Sequence, residues 1–201
     1  MPEQATAIAA PPPRVVHLPA APPGWDDSAP IERRQARERR VARDLIELSR
    51  LQRGGEQARF APLDLAAMLR AICADYRPPL RIDGPRELAV NTDSRRLARV
   101  LLVLLDNAYV HGAPPVSVTY NATEIIIQDG GPGLAPTLLP RATEPFVTGH
   151  RGHGRGVGLG LAIAARQAAL LGAQLELSNG LPIGAVARLR FAADPSSHAG
   201  P

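Results

Sequence analysis

The sequence predicts an α+β fold, a two-layer α/β sandwich in which helices pack on one face of a mostly antiparallel sheet. Stretches with the 3.6-residue apolar period of a helix occur beside stretches that alternate apolar and polar residues as strands do. The strand-like stretches are joined by hairpin turns or single helices, without the strict alternation of a parallel doubly wound sheet. The 201 residues, 45% of them hydrophobic, suffice for one ordinary domain with a core and appendages.

The composition excludes several classes of function. All the basic residues are arginine, so a phosphate-binding loop of the kind that needs a lysine is absent. The net charge of +4 would attract nucleic acid. Aromatic residues make up only 3% of the chain, too few for the stacking surfaces that bind single strands.

The cellular compartment also follows from composition. The single cysteine, Cys73, excludes an internal disulfide and a cysteine-based metal site, and it suits a reducing compartment. No apolar stretch approaches the roughly 18 residues that cross a bilayer, and no secretion leader opens the chain. We therefore expect a cytoplasmic protein with no membrane span and no nucleic-acid partner.

Four regions follow one another along the chain. Residues 1–30 hold eight of the 21 prolines and are predicted to form a disordered arm. Residues 31–55 are predicted to form a helix that ends at a glycine pair. Residues 60–192 show the mixed α/β pattern of the domain, and residues 193–201 are predicted to be a disordered tail.

The helix predicted within 31–55 carries arginines interleaved with acidic residues. Val41, Leu45 and Leu48 recur at helical spacing and form one narrow apolar seam. A seam this narrow indicates a helix that pairs with one partner helix. The arginine run is typical of a solvated helix face, and a grip on nucleic acid is the alternative.

Within 60–192, each predicted element depends on a local pattern. The longest helix, about 93–111, has Thr92 or Asp93 as its N-cap and is ended by Gly112. A hairpin turn at Asn179-Gly180 joins the last two strands. The remaining elements are predicted as follows: helices at about 65–76 and 158–171, and strands at about 60–65, 80–83, 87–90, 116–120, 124–129, 173–179 and 184–191.

Half of the 18 glycines fall between residues 130 and 160. This stretch begins with Asp129–Gly133 directly after a predicted buried strand, and it ends with Gly154–Leu161 at the start of a helix. Glycine permits close backbone approach, and the free N–H groups of a helix start attract anions. The second segment therefore predicts a phosphate cradle. A dinucleotide-binding motif would instead follow a strand directly, near the start of a strand–helix–strand unit.

The helix 93–111 places one polar residue at the edge of its apolar face. Asn107 lies one turn after Val103 and one turn before His111. Its amide either makes a packing hydrogen bond or offers its oxygen to a hard cation. Magnesium takes oxygen ligands and keeps phosphates and waters in its shell, so one protein amide can suffice.

Three segments in this order resemble the N, G1 and G2 boxes of the Bergerat-type ATP-binding fold, which histidine kinases, gyrase, Hsp90 and MutL share. They are Leu104–Ala108, Asp129–Gly133 and Gly156–Leu161. Between them, Glu144–Phe146 is similar to the F box of histidine kinases. The resemblance covers about 60–192 and implies that this region is a histidine kinase-type ATP-binding catalytic domain.

A fainter similarity reaches into the preceding helix. Residues 41–53 are similar to the second helix of a histidine kinase dimerisation domain. This similarity implies a homodimer or heterodimer formed through the helix at 31–53.

The resemblance assigns roles to single residues. It implies that Asn107 coordinates magnesium and that Asp129 accepts a hydrogen bond from the adenine amino group. Gly131 and Gly133 would let the backbone turn beneath the base. The residues implied to bind the nucleotide through the G2 segment are Gly154, Gly156, Val157, Gly158, Leu159 and Gly160.

A lid and a catalytic set are implied in the same way. Segment 134–155 would cover ATP, with Phe146 anchoring it. Arg151 or Arg155 would neutralise the γ-phosphate, and a merely solvated arginine is the alternative for each. The implied cofactors are ATP and Mg²⁺, and the implied catalytic residues are Asn107, Asp106, Arg151 and Arg155.

Two positions depart from the family pattern. Val103 stands four residues before Asn107, where many histidine kinases have a second asparagine and where gyrase, Hsp90 and MutL have the glutamate that activates water. A valine side chain can neither take a proton nor orient a water molecule, so rapid ATP hydrolysis is not expected. Val110 stands where kinases often carry a basic residue that reaches the phosphates. Asp106 and His111 are candidates to compensate, with a helix-capping role as the alternative for His111.

The resemblance implies a histidine protein kinase that presents the γ-phosphoryl of Mg-ATP to a histidine in two-component signal transduction. Only His17 precedes the predicted helix, and Pro19 in a proline-rich stretch precludes a regular helix there. The acceptor is then expected in trans or in a missing portion of the protein, and the partner is a response regulator or a histidine-bearing protein. The alternatives are a non-catalytic nucleotide-binding regulator and a serine kinase of the anti-sigma-factor type.

Overall fold

A computed structural model describes residues 28–76, 80–149 and 157–192 of the chain. His17 and the tail predicted at 193–201 lie outside these ranges, as does nearly all of the arm predicted at 1–30.

The chain divides into two compact units between Arg37 and Glu38. In the first unit, the described residues 28–37 are helical. The helix begins at Ser28, so residues 28–30 are not part of a disordered arm as predicted. The second unit, from Glu38 onward, contains the rest of that helix and all other elements.

The described ranges contain four α-helices, one 3₁₀ helix and seven strands. The helices are α1 Ser28–Arg53, α2 Leu65–Ala74, α3 Ser94–Val110 and α4 Gly160–Leu170, with the 3₁₀ helix at Leu139–Arg141. The strands are β1 Ala61–Asp64, β2 Arg81–Asp83, β3 Ala89–Thr92, β4 Ser117–Tyr120, β5 Glu124–Gln128, β6 Ala173–Asn179 and β7 Ala185–Phe191. Every helix and strand predicted from residue 60 onward is present, with its ends displaced by two residues at most.

The main sheet has five strands in the order β2-β4-β5-β7-β6. β2 runs parallel to β4, and all other neighbours are antiparallel. β1 and β3 form a separate antiparallel pair. The α+β prediction with a mostly antiparallel sheet is therefore confirmed.

The two faces of this sheet differ in character. Val118, Ile125 and Leu189 are buried in the core that the sheet forms with α2, α3 and α4. On the opposite side, Arg190 bridges Glu124 of β5 and Glu176 of β6 at 3.5–3.6 Å. One face thus packs on helices and the other meets water, as in a two-layer sandwich.

The second half of α1 packs onto α3 and α4. Leu48 is 3% exposed and joins a cluster with Leu159 and Ile163. Leu45 is 42% exposed, so the predicted seam is divided between the domain and the solvent. The two side chains point about 60° apart around the helix, and only one of them reaches α4.

Among the described residues, no helix combines the length and the hydrophobicity that crossing a bilayer requires.

Candidate nucleotide-binding site

α3 carries Asn107, and its start is firmly capped. The Oδ1 atom of Asp93 accepts hydrogen bonds from the N–H groups of Arg95 and Arg96, both at 3.1 Å. Its Oδ2 atom accepts another from the N–H of Arg59 at 2.9 Å. Burial opposes ionisation of this carboxyl, but the three backbone N–H groups outweigh it and hold the pKa of Asp93 below its ordinary value. Asp93, rather than Thr92, is thus the N-cap.

The face of α3 that bears Asn107 is turned toward the start of α4. Val103, one turn earlier, is buried, and a Cβ built on Gly160 would lie 3.3 Å from its Cγ1 atom. Asn107 itself is half-buried. Because residues four apart share a helix face, the Asn107 amide lies on the side of α3 where the G2 segment enters α4.

Asp129 lies directly after β5, and its side chain is held in a defined orientation. Its Oδ1 atom accepts hydrogen bonds from the N–H of Gly131 at 2.8 Å and from the N–H of Ala185 at 3.2 Å. The residue is 6% exposed. The bonds that the described residues make to this carboxylate thus engage Oδ1 and leave Oδ2 for a ligand.

Gly112 joins the segments that carry Asn107 and Asp129. Its N–H donates to the carbonyl of Asn107 at 3.3 Å. A Cβ built on it would overlap Cγ of Asp129. The end of α3, which carries Asn107, therefore meets the end of β5, which leads into Asp129.

The loop after Asp129 is held by a side chain that sequence reasoning missed. Gly133 has a φ of +77°, which glycine adopts without strain. The Asn179 side chain accepts from the N–H of Leu134 at 2.7 Å and donates to its carbonyl at 2.8 Å. The sequence predicts Asn179 only as the end of a strand and the start of a hairpin turn, and no local pattern indicates this contact with a loop 45 residues away.

The F box and the G2 segment contact each other through their backbones. The N–H of Phe146 donates to the carbonyl of Gly158 at 2.8 Å. A Cβ on Gly158 would lie 2.5 Å from the carbonyl oxygen of Val147. The Phe146 side chain is 61% exposed, so in this structure the anchoring contact is made by the backbone of this residue and not by its ring.

The N-terminus of α4 offers free donors beside this contact. The N-cap position is Leu159, which provides no side-chain hydrogen bond to the helix start. Leu159 is buried and Val157 is half-buried, while Gly158 and Gly160 have no side chain to block the backbone. The remaining predicted residues of the lid and the G2 segment lie outside the described ranges: Arg151, Gly154, Arg155 and Gly156.

Asp106 and His111 occupy other surroundings than Asn107. The Asp106 carboxylate pairs with Arg40 of α1 at 3.0 Å and accepts from the Tyr76 hydroxyl at 3.0 Å. Burial, reinforced by this carboxylate, raises the pKa of Tyr76. Asp106 is thus directed toward α1 and the end of α2. His111 is the exposed C-cap residue of α3, and its N–H donates to the Asn107 carbonyl at 2.9 Å.

These features fit a magnesium nucleotide. An amide oxygen suits a hard cation, a fixed carboxylate suits a hydrogen-bond donor on a base, and an uncapped helix start suits phosphate oxygens. The glycines of both segments keep the backbone open for such a ligand.

A family model matches the part of the chain that carries these segments. The model described as histidine kinase-, DNA gyrase B-, and HSP90-like ATPase matches residues 92–195, just over half of the chain. The matched region begins at the last residue of β3 and contains α3, both glycine-rich segments and the last two strands.

Two curated relatives are sensor proteins of Streptomyces coelicolor. Sensor protein CseC is 38% identical over 169 residues, which are 84% of this chain and 33% of that protein. The signal transduction histidine-protein kinase AfsQ2 is 32% identical over 165 residues, which are 78% of this chain and 31% of that protein. The chain thus spans about a third of the length of these relatives.

Solved structures share the fold. Full-length ShkA in complex with AMPPNP matches with a TM-score of 0.61 and 28% identity, over 76% of this chain and 36% of that one. The mycobacterial sensor histidine kinase MprB matches with a TM-score of 0.55 and 24% identity, over 66% of this chain and 97% of that one. The chain therefore belongs to the family of histidine kinase-, DNA gyrase B- and HSP90-like ATPases, and its matched region is an ATP-binding catalytic domain of the sensor histidine kinase type.

Proposed function

We propose that this chain binds Mg-ATP and presents the γ-phosphoryl group to a histidine imidazole in a two-component signalling system. The observation that carries the proposal is the junction at Gly112, which joins the segment bearing Asn107 to Asp129. The same helix approaches the start of α4 at Val103. The similarity to CseC and AfsQ2, both named for sensing or signal transduction, supports it.

Asp129 selects the base. Its Oδ2 atom accepts a hydrogen bond from the adenine amino group, while Oδ1 stays on Gly131 and Ala185. Guanine would place a carbonyl oxygen against this carboxylate. The unpaired buried acceptor would then cost about 1–3 kcal/mol.

Asn107 binds the metal, and backbone groups bind the phosphates. The Asn107 amide oxygen would be one ligand of Mg²⁺, which would supply charge neutralisation at the β- and γ-phosphates. The N–H groups around Gly158 and Gly160 receive phosphate oxygens at the start of α4. Arg151 or Arg155 completes the neutralisation of charge on the γ-phosphate.

The acceptor is an imidazole rather than water. Val103 is buried beside Gly160 and supplies neither a base nor a hydrogen bond that would orient water. In the transfer, a bond forms between an imidazole nitrogen and the γ-phosphorus, and the bond from phosphorus to the β–γ bridging oxygen breaks. The histidine comes from another chain or another part of the protein.

The exposed surface of α1 indicates one partner, and the proposed signalling role indicates another. Leu45 and Ile46 are 42% and 53% exposed on α1. These side chains pair with the same helix of a second copy, or with a related helix of another kinase. A response regulator receives the phosphoryl group afterwards, and the reaction takes place in the cytoplasm, where ATP is available.

A second candidate function is a nucleotide-binding regulator that transfers nothing. The apolar Val103 and Val110 on the Asn107 side of α3 favour it, since neither provides a group for chemistry. The two candidates differ in whether label from γ-labelled ATP reaches a histidine. Acid-labile label on a histidine-bearing partner supports the kinase, acid-stable label indicates a serine kinase, and bound ATP without transfer indicates the regulator.

The binding site is tested with Asp129→Asn. The carboxamide keeps an oxygen for Gly131 and Ala185 but turns an NH₂ donor toward the amino group of adenine. We expect ATP affinity to fall about ten-fold or more, with a smaller loss or a gain for GTP. Calorimetry with and without magnesium measures the affinities for ATP and for GTP. Asp83→Asn, on an exposed edge of the sheet, is the control. Unchanged ATP affinity in Asp129→Asn would refute the assignment of the base site.

A further inference from the structure

Gly112 is required for a reason other than ending α3. A glycine that ends a helix by the common left-handed route has a positive φ. Six described glycines have positive φ values, and Gly112 is not among them. The backbone conformation at this position is therefore one that alanine also adopts, and the end of α3 does not explain the glycine.

The lack of space around Gly112 explains why this residue is a glycine. A Cβ built there would overlap Cγ of Asp129, and it would lie 2.7 Å from Oδ1 of Asp129 and 2.5 Å from the carbonyl oxygen of Ala108. Real Cβ atoms essentially never approach other heavy atoms within 3.0 Å. Gly131 closes the other side, because a Cβ on it would lie 2.7 Å from Cα of Gly112.

The Asp129 carboxylate has no room to retreat. Its Oδ1 atom is bonded to the N–H groups of Gly131 and Ala185. A Cβ on Gly184 would overlap the Asp129 carbonyl oxygen, so the backbone of the β6–β7 hairpin already touches the residue. A methyl group at position 112 would therefore turn the carboxylate off its two donors or displace the end of α3.

We propose that Gly112 is a positioning residue for base recognition: its missing side chain sets the direction in which the Asp129 carboxylate presents Oδ2 to an adenine nucleotide. This inference rests on the proposed function, because it concerns the same base site. Gly112 touches no phosphate in this scheme. It acts through Asp129, so it governs the choice between adenine and guanine nucleotides more than the binding of the triphosphate.

The test compares Gly112→Ala with Gly84→Ala in the full chain. Gly84 is a matched control: its φ is also not positive, and a Cβ there would lie 2.7 Å from the Tyr120 carbonyl oxygen, beyond the edge strand β2. ATP and GTP dissociation constants are measured by competition with a fluorescent ATP analogue, and stability by urea unfolding. Gly112→Ala should weaken ATP binding about ten-fold and bring the GTP-to-ATP ratio of dissociation constants toward unity.

Gly84→Ala should lower stability and leave that ratio unchanged, which separates lost packing from lost base recognition. An unchanged ratio in Gly112→Ala, or an equal loss for both nucleotides, would overturn the inference. If the wild-type chain binds neither nucleotide, the proposed function fails. The contact between Gly112 and Asp129 is then tested by urea unfolding alone.

The stability measurement uses Asp129→Ala as a second background, in which the Cγ that meets the new methyl is gone. In the Asp129→Ala background, Gly112→Ala should lower the free energy of unfolding by less than it does in the wild type, because residues 112 and 129 are in contact. If Gly112→Ala alone does not fold, the double variant should fold. Additive costs, or a double variant that also fails to fold, would contradict the contact on which the inference depends.

Discussion

Asp93 connects the start of α3 to the segment before β1. Its two carboxylate oxygens accept from the backbone N–H groups of Arg95, Arg96 and Arg59, and the side chain is almost fully buried. The pKa of Asp93 lies below its ordinary value, since these donors favour the charged form and outweigh burial. The folded state therefore releases the proton of this carboxyl at a lower pH than the unfolded state does.

Asp93→Ala should lower the free energy of unfolding by about 1–2 kcal/mol at neutral pH, because the cap and the bond to Arg59 are lost. The contribution of Asp93 is fully present above its unfolded pKa of about 3.9, and it is lost as pH falls through the lower folded pKa. Urea unfolding measured from pH 7 down to acid should thus show a steeper loss of stability for the wild type than for the variant. Asp75→Ala, at an exposed position after α2, is the control. Parallel profiles for the wild type and Asp93→Ala would count against this role.

At the scale of elements, α1 is held to the domain by a polar belt beside its one buried leucine. The Arg99 guanidinium of α3 contacts Asp44 at 2.6 Å and Glu47 at 2.9 Å. Gln167 of α4 donates to Glu47 at 2.9 Å. Leu48 packs beside this belt against Leu159, which belongs to the G2 segment. The second half of α1 is thus in direct contact with the start of α4.

Arg99→Ala should release the second half of α1 from the domain, because it leaves the carboxylates of Asp44 and Glu47 without their cation. Loss of one partner of a buried pair costs about 3–5 kcal/mol, and the 32% exposure of Arg99 brings the expected loss of unfolding free energy down to about 1–3 kcal/mol. Hydrogen exchange should quicken over residues 38–53. Arg95→Ala, exposed in the first turn of the same helix, should leave it unchanged. Equal protection in both variants would show that the belt does not hold α1.

At the scale of the whole molecule, the proposed association of copies needs an exposed apolar surface. Leu45 and Ile46 are neighbours on α1 and lie on its solvent side. The ion-paired outer face of the sheet offers no comparable apolar surface, since arginines and glutamates alternate across β5, β6 and β7. Self-association is therefore expected through the helix rather than through the sheet.

Leu45→Glu combined with Ile46→Glu should convert a dimer into a monomer, because charged side chains cannot be buried unpaired between two helices. Sedimentation velocity at several concentrations measures the change. Phe60→Glu, at a position that is 52% exposed just before β1, is the matched apolar-to-acidic control and should remain dimeric. A wild-type chain that stays monomeric, or a double variant that stays dimeric, would contradict association through α1.

Much of the fold was predictable because its causes are local. Helical period, strand alternation, the Asp93 cap and glycine-rich turns act within a few residues, so they located every α-helix and strand described from residue 60 onward but not the 3₁₀ helix at Leu139–Arg141. The same holds for the box segments, whose residue types lie close together in the chain. The predicted seam of α1 was only partly correct, because the sequence period does not show which side chains meet α4.

The contacts that shape the site arise between distant parts of the chain, and only the folded arrangement decides them. Three contacts show this: Gly112 with Asp129, Asn179 with Leu134, and Arg40 with Asp106. Each contact joins two elements that are brought together by the order of strands in the sheet or by the packing of α1. Residue types and their spacing along one element do not predict these contacts. Local chemistry therefore located the groups for a nucleotide site, and packing between elements decides which way each of them points.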